Sequence, residues 1–331
     1  MGIGETKTVA QDEAGMRLDR WFKLHFPQIT HAYLSKLLRT GQVRVDGARA
    51  KTGTRLAAGQ TVRVPPLAFE TRPADRPRAA EPLTAAERAF FKSLVIFEDK
   101  DLFVLNKPSG LAVQGGTKTV RHIDRLLDGL GVELEERPRL VHRLDKDTSG
   151  VLVIARRRQV ASSLGRLFAT RSVRKIYWAL VEGVPKPAQG KVATPLVKMA
   201  GPEGDRVRAA GPGEQARAQH ATTHYAVIDQ AANKLAWVSL KPVTGRQHQL
   251  RAHMAMLGHP ILGDEKYVGD QDLPKGVEKK LHLHARRISF SHPRGGTVDV
   301  TAPLPEHMRQ SFALFGFDPD RYDRAAEEGH P

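Results

Sequence analysis

Cysteine is absent from all 331 residues, which excludes disulfides and thiolate metal sites and leaves the chain compatible with a reducing compartment. No stretch approaches the ~20 consecutive apolar residues that a membrane span needs. The opening MGIGETKTVAQDEAG is polar and lacks the apolar core of a secretory signal. A soluble, cytoplasmic protein is the expectation. Histidine is plentiful at His248, His253, His259, His282 and His284, yet no carboxylate stands at HExxH spacing. His282 and His284 read as strand neighbours on one face, so no metal site is expected.

Acidic residues are scarce in a telling way. The chain carries 52 Lys and Arg against 36 Asp and Glu, a net charge of +16, although 40% hydrophobic and 27% charged residues are ordinary for a soluble protein. The excess falls in two windows. Arg17 to Arg63 holds ten basic residues against Asp19 and Asp46, and Arg156 to Lys175 holds seven with no acid. Clustering of this kind fits contact with a phosphate backbone and points to nucleic acid before membrane.

The first window reads as a small folded unit within residues 1–64. Leu18, Trp21, Phe22, Leu24 and Phe26 follow helical spacing. A second helix from about His31 to Arg39 carries Tyr33, Leu34, Leu37 and Leu38, and Thr40-Gly41 ends it. Val43-Arg44-Val45 with Asp46-Gly47 gives a strand and a hairpin turn, and Gly59 to Val64 alternates as another strand. Residues 65–90 begin with Pro65-Pro66 and carry Pro73, Pro77 and Pro82 without hydrophobic period, so they read as a semi-extended linker. A polar C-terminal segment is expected over 316–331.

Between these, 91–315 mixes strands and helices. Leu102 to Leu105 is a strand running into a turn at Asn106 to Gly110. Arg157 to Thr170 suits a helix. Lys175 to Val181 alternates, with Ile176, Trp178 and Leu180 on one face and Lys175 and Tyr177 on the other. Residues 201–219, rich in Gly, Pro, Ala and Arg, suggest a mobile loop, and Leu235 to Leu240 is a strand. Gly245 to Gly258 reads as a helix with Leu250, Met254 and Leu257 inward, which places Gln247, His248 and Arg251 on a shared polar face. Regular βαβ alternation is missing, so the expectation is an α+β fold with a mostly antiparallel sheet.

The most informative segment is Arg139-Leu-Val-His-Arg-Leu-Asp-Lys-Asp-Thr-Ser-Gly150. It sets Asp145 in a short polar loop between two apolar runs, with Arg143 and Lys146 alongside. Nearby cations favour an ionised carboxylate, which suits a nucleophile or anchored base better than a proton donor. A plain turn rich in Asp, Thr, Ser and Gly is the competing reading.

The ordered motifs resemble the pseudouridine synthases that modify ribosomal large-subunit RNA, the RluA family. They are Leu-Asn-Lys-Pro-Ser-Gly (105–110), Val-Gln-Gly-Gly (113–116), His-Arg-Leu-Asp-Lys-Asp-Thr-Ser-Gly (142–150) and Lys-Ile-Tyr (175–177). Next come Gly-Arg-Gln-His-Gln-Leu-Arg-Ala-His (245–253), Gly-His-Pro-Ile-Leu-Gly-Asp-Glu-Lys-Tyr (258–267) and Leu-His-Leu-His-Ala (281–285). The first two together are most similar to the C-type members, with departures at Gln114, where histidine is expected, and Gln247, where threonine is usual. Residues 16–64 resemble the RNA-binding module named after ribosomal small-subunit protein four.

The resemblance implies a pseudouridine synthase fold and a reaction without cofactor. The uridine glycosidic bond breaks, the uracil rotates, and the base is rejoined through carbon five. It implies Asp145 as the catalytic carboxylate, Tyr177 stacked on the target base, and Arg251 paired with Asp145. Leu250 would wall the pocket. Arg143 would fill the space left by a flipped base, with His142 and Lys107 as further substrate contacts. Arg17, Arg20, Lys36, Arg39, Arg44, Lys51, Arg156 and Arg174 would meet the RNA. The implied partner is large-subunit ribosomal RNA, with no membrane, and a monomer is the default. Two other readings stay open. Asp145-Lys-Asp147-Thr-Ser149 fits the Asp-x-Asp-x-Thr/Ser pattern of magnesium phosphatases, although His142-Arg143 breaks the apolar strand such enzymes place before the aspartate. A non-catalytic RNA-binding assembly factor is the second.

Overall fold

The computed structural model describes residues 5–67, 81–115, 121–134, 136–170, 172–199, 206–269 and 271–322. The chain divides into two compact units, Met1–Ala79 and Ala80–Pro331. In the first, helices α1 (Leu18–His25) and α2 (His31–Arg39) lie with a four-stranded sheet built from β1 (Glu5–Thr8), β2 (Arg44–Val45), β3 (Ala48–Arg49) and β4 (Thr61–Val64), in the order β1-β4-β2-β3. The amphipathic spacing becomes its core. Trp21, Phe22, Leu34, Leu37, Val62 and Val64 are buried together, whereas Leu24 faces outward, 61% exposed. Thr30 caps α2 by accepting the Tyr33 N–H. At the β2–β3 turn Asp46 and Gly47 both take positive φ, 47° and 75°, the geometry an Asp-Gly hairpin demands. The polar sequence gives no hint of β1.

The second unit starts earlier than the linker reading placed it. Leu83 is buried, and α3 (Ala85–Leu94) begins behind a capping box in which Thr84 and Glu87 satisfy each other's backbone N–H groups. Residues 68–80 of the expected linker lie outside the described residues.

A ten-stranded sheet organises this unit. Its strands are β5 (Val95–Glu98), β6 (Leu102–Lys107), β7 (Arg139–Leu140), β8 (Ser149–Ala155), β9 (Arg174–Glu182), β10 (Gln189–Ala193), β13 (Thr222–Ala231), β14 (Leu235–Pro242), β15 (Leu283–Ser291) and β16 (Thr297–Thr301). They run in the order β10-β13-β14-β9-β15-β8-β6-β5, with β7 on β8 and β16 on β15. Among the described strands of this sheet β8 with β15 is the one parallel pair, over His284↔Ser149 and Ala285↔Gly150. The fold is α+β with a mostly antiparallel sheet, as the sequence leads one to expect.

Both faces of the central strands are covered, which explains why β8 is apolar throughout rather than alternating. Leu152 and Ile154 pack with α3 and with α4 (Ile123–Gly131). Val151 and Val153 pack with α5 (Arg158–Ala169) and β16. On β9 the expected alternation holds. Trp178 and Leu180 meet α7 (Glu306–Phe315) through Met308 and Phe312, and Ala179 and Val181 pack with Leu250 and Met254 of α6 (Gln249–Met256).

Three loop expectations change. Residues 206–219 are ordered: β12 (Arg206–Ala209) pairs with β11 (Leu196–Met199), and Glu214 anchors the following turn by accepting from Arg208 and from the Gly211 N–H. The C-terminal segment starts inside the core, with Phe317 buried and the Tyr322 ring 5.7 Å from Trp178 and 5.6 Å from Trp237; 323–331 lie outside the described residues. The helix expected from Gly245 begins only at Gln249, and Leu257 is exposed rather than inward.

Candidate active site

The Asp145 loop joins β7 to β8 and is held from below. Leu144 is buried in the core beneath it. Lys107, at the end of β6, is completely buried, and its Nζ donates to the carbonyls of Pro108, Leu111 and Lys146, each at 2.8 Å. The Ser109 hydroxyl donates to Asp147 O and the Gly110 N–H to Lys146 O. The Asn-Lys-Pro-Ser-Gly turn is therefore the seat of the aspartate loop. This corrects the expectation that Lys107 contacts substrate. Burial pulls its pKa down to about 7 against the opposing pull of Asp147 and Asp145. Three acceptors nonetheless match the three N–H donors of an ammonium, whereas a neutral amine would turn its lone pair on one of the carbonyls.

Above the loop opens a cleft of about 840 Å³. Arg143, Leu144, Asp145 and Thr148 line it from the loop, Lys175 and Tyr177 from β9, and Gln247, His248, Leu250 and Arg251 from around the start of α6. Asp145, Tyr177, Arg251, Leu250, Arg143 and His142 all meet here.

Their roles are not all as expected. Arg251 does not pair with Asp145. It is 4% exposed and grips Asp264, which is 1% exposed, with Nε and Nη2 at 2.7 and 2.5 Å from the two carboxylate oxygens. A buried guanidinium needs such a bidentate partner, and Asp264 supplies it from the Gly-His-Pro-Ile-Leu-Gly-Asp motif. The Arg251 charge is still near enough to Asp145 for each to act electrostatically on the other. His142 is a structural residue as well as a cleft wall. Its Nε2 accepts from the Val153 N–H at 2.9 Å, and its ring stacks on Phe168 at 4.7 Å. Burial and the nearby Lys175 hold the imidazole well below its ordinary pKa.

Tyr177 packs against the core around Asp145, and burial, with the Asp145 charge adding to it, pushes its phenol far up. The hydroxyl stays protonated. Leu250 presents its side chain from the first turn of α6, and Arg143 is exposed at the cleft mouth. Gln249 fixes this wall with its whole amide: Oε1 accepts from Thr244 Oγ1 and the Arg246 N–H, while Nε2 donates to Thr222 O and Thr223 Oγ1.

The basic residues divide similarly. Arg17 forks onto Asp19 and Arg44 donates to the Gly41 and Gly47 carbonyls. Arg156 is held by Glu98 and Asp99 O and lies over the Phe103 ring. Arg20, Lys36, Arg39, Lys51 and Arg174 are exposed. Among the described residues no group of histidine and carboxylate side chains is arranged to hold a metal, and no helix is long and apolar enough to cross a membrane.

A carboxylate set in an open cleft with an aromatic wall and basic residues at its mouth defines an enzyme that works on a polyanion. Comparison with known proteins narrows that class. The model of the RNA pseudouridylate synthase family matches residues 101–256. Ribosomal large subunit pseudouridine synthase C of Pasteurella multocida (strain Pm70) is 34% identical over 319 residues, covering 92% of this chain and 91% of its own. The Escherichia coli (strain K12) protein of the same name is 34% identical over 310 residues, covering 91% and 93%. Among solved structures, Human RNA Pseudouridylate Synthase Domain Containing 4 superposes with a TM-score of 0.60 at 32% identity, covering 71% of this chain and 99% of its own. The chain belongs to the RNA pseudouridylate synthase family.

Asp264 and Tyr267 stand in the Gly-His-Pro-Ile-Leu-Gly-Asp-Glu-Lys-Tyr motif with no local signal of a role. Their partners lie 13 and 19 residues away in the chain, and neither separation is a helical or strand repeat.

Proposed function

We propose that this enzyme isomerises specific uridines of large-subunit ribosomal RNA to pseudouridine, with Asp145 as the catalytic carboxylate. The observation that carries the reading is the placement of Asp145 at the base of the cleft, faced by Tyr177, Leu250 and His248, with the Arg251–Asp264 pair behind them. The names of the relatives supply the ribosomal substrate.

A uridine inside a duplex cannot reach this carboxylate, so the nucleotide is flipped out, at a cost of roughly a few kcal/mol of stacking. Arg143, exposed at the cleft mouth, fills the vacated space. The freed base lies on Tyr177, whose protonated phenol acts as a stacking face and a hydrogen-bond donor. Asp145 attacks the base or the sugar, or removes a ribose proton, and the bond between N1 and the ribose breaks. The uracil rotates, carbon five bonds to the ribose, and the proton leaving carbon five is matched by one gained at N1. No redox partner or external group enters the balance. Residues 16–64 act as the RNA-holding module, through Arg20, Lys36, Arg39 and Lys51. Tethering it to the catalytic unit raises the effective concentration of RNA at the cleft.

Tritium release from large-subunit RNA labelled at carbon five of uridine tests the reading. Wild type is expected to release tritium, and Asp145→Ala to release none while still binding the RNA. Binding without release by wild type would make the chain a non-catalytic RNA-binding factor.

A further inference from the structure

The basic side chain within 4.0 Å of the Asp145 carboxylate is neither arginine nor lysine. His248 Nε2 stands 3.9 Å from Asp145 Oδ1, the one such group within 4.0 Å among the described residues. The histidine is 8% exposed. Its backbone is left-handed, with φ 50° and ψ 20° at the N-cap of α6, a conformation that costs a non-glycine residue roughly 1–2 kcal/mol and persists only where its surroundings impose it. Gln249, tied to Thr222, Thr223, Thr244 and Arg246, imposes it here.

The other ring nitrogen decides the tautomer. His248 Nδ1 lies 3.3 Å from Tyr267 Oη, and that oxygen already accepts the Val207 N–H at 3.0 Å. Burial first, with Asp264 and Asp145 adding to it, raises the phenol pKa to about 12, so the hydroxyl keeps its proton. Donating that proton to Nδ1 leaves the hydrogen of the imidazole on Nε2. The same tautomer follows from electrostatics, since a bare Nε2 lone pair facing a carboxylate would be repelled.

We infer that His248 is a positioning residue for the reaction: as a neutral imidazole whose tautomer Tyr267 fixes, it presents its Nε2–H to Asp145 and aims the carboxylate. The inference rests on the proposed catalytic role of Asp145. The present 3.9 Å is longer than a hydrogen bond, so the contact forms once the two side chains close by about 1 Å. A neutral donor steadies the anion while taking less of its nucleophilicity than an ion pair would.

Acid undoes the arrangement. A proton on Nδ1 opposes the Tyr267 hydroxyl and sets a full positive charge against Asp145. Burial and the charges of Arg251 and Lys266 keep His248 below its ordinary pKa, against the opposing pull of Asp145 and Asp264. Activity is therefore level at neutral pH and declines in acid, on the low side of the ordinary histidine range.

The test is single-turnover tritium release across pH 5 to 8 by wild type, His248→Asn and His248→Gln, with RNA affinity and thermal midpoint measured alongside. Asparagine tolerates the left-handed backbone and still meets Tyr267, but its amide falls short of Asp145. Glutamine places an N–H near the position of Nε2. The expected result is a loss on the order of 10- to 100-fold for asparagine, recovery of most of that loss by glutamine, and disappearance of the acid limb in both. RNA affinity should be unchanged. Asparagine matching wild type, or an acid limb that survives in both variants, overturns the inference. A wild type that releases no tritium overturns the catalytic reading itself, which is a separate outcome.

Discussion

Two buried cations shape the site through the protein groups they hold. Lys107 holds the aspartate loop by three backbone carbonyls, and Arg251 holds Asp264. Replacing Lys107 with methionine keeps the volume but strips the Pro108 and Leu111 carbonyls of this donor and leaves Lys146 O with the Gly110 N–H alone. Each unsatisfied group costs about 1–3 kcal/mol, so Lys107→Met should lower the unfolding free energy by about 3 kcal/mol or more and slow single-turnover isomerisation. Affinity for RNA should hold, because the lysine does not reach the cleft. Urea unfolding with paired rate measurements checks this, and an unchanged unfolding midpoint would contradict it. At this scale the sequence was a good guide to which residues gather and a poor one to who pairs with whom. Asp145, Arg143, Tyr177 and Leu250 are legible because they sit inside dense local motifs. The partners of Lys107 and Arg251 are not legible, because both are charges that turn inward and only burial reveals that.

At the parallel junction between β8 and β15 two backbones approach closely. Gly150 has φ +107°, and a Cβ placed on it would collide with the backbone of Ala285. This is the residue immediately after the aspartate loop and Ser149, so the strand spacing and the position of Asp145 are coupled. Gly150→Ala should force the strands apart at a cost of about 3 kcal/mol and lower activity with it. A thermal melt within a degree of wild type would refute the expectation. Helix α2 was readable because an apolar stripe and the terminal Thr40-Gly41 agree. The start of α6 was not. Arg246 to His248 have ordinary helical propensities, and it is the anchoring of the Gln249 amide on β13 that stops the helix short. The order in 206–219 was hidden for the same reason, since Arg208 and Glu214 meet only once the hairpin forms.

In the catalytic unit the imidazoles of His282 and His284 are buried in neutral form. Burial holds the pKa of His282 at about 4 and that of His284 at about 3, with His284 bonded to Ser149 and Ala302 O, and His282 to Lys280 O and Ser311. Their folded-state values lie below the unfolded value of roughly 6.5. The stability they confer is therefore complete above pH 6.5 and is lost as the pH falls towards 4. At about 1.4 kcal/mol per unit for each group, the pair should remove roughly 3–4 kcal/mol between pH 6.5 and 5. Urea titrations at the two pH values measure this, and an identical midpoint at both would exclude it. The net charge of +16 adds self-repulsion in the same direction.

The sequence alone determined the α+β class, the two basic windows and the family, because periodicity, charge and short ordered motifs are local properties that survive without a fold. It also singled out Asp145, whose loop is encoded in twelve consecutive residues. Tertiary structure alone decided that Arg251 belongs to Asp264, that Lys107 supports the loop from beneath, and that His248 rather than a cation faces the carboxylate. Each of those outcomes depends on which buried charge finds its partner once water is excluded, and separation along the chain carries no record of that choice.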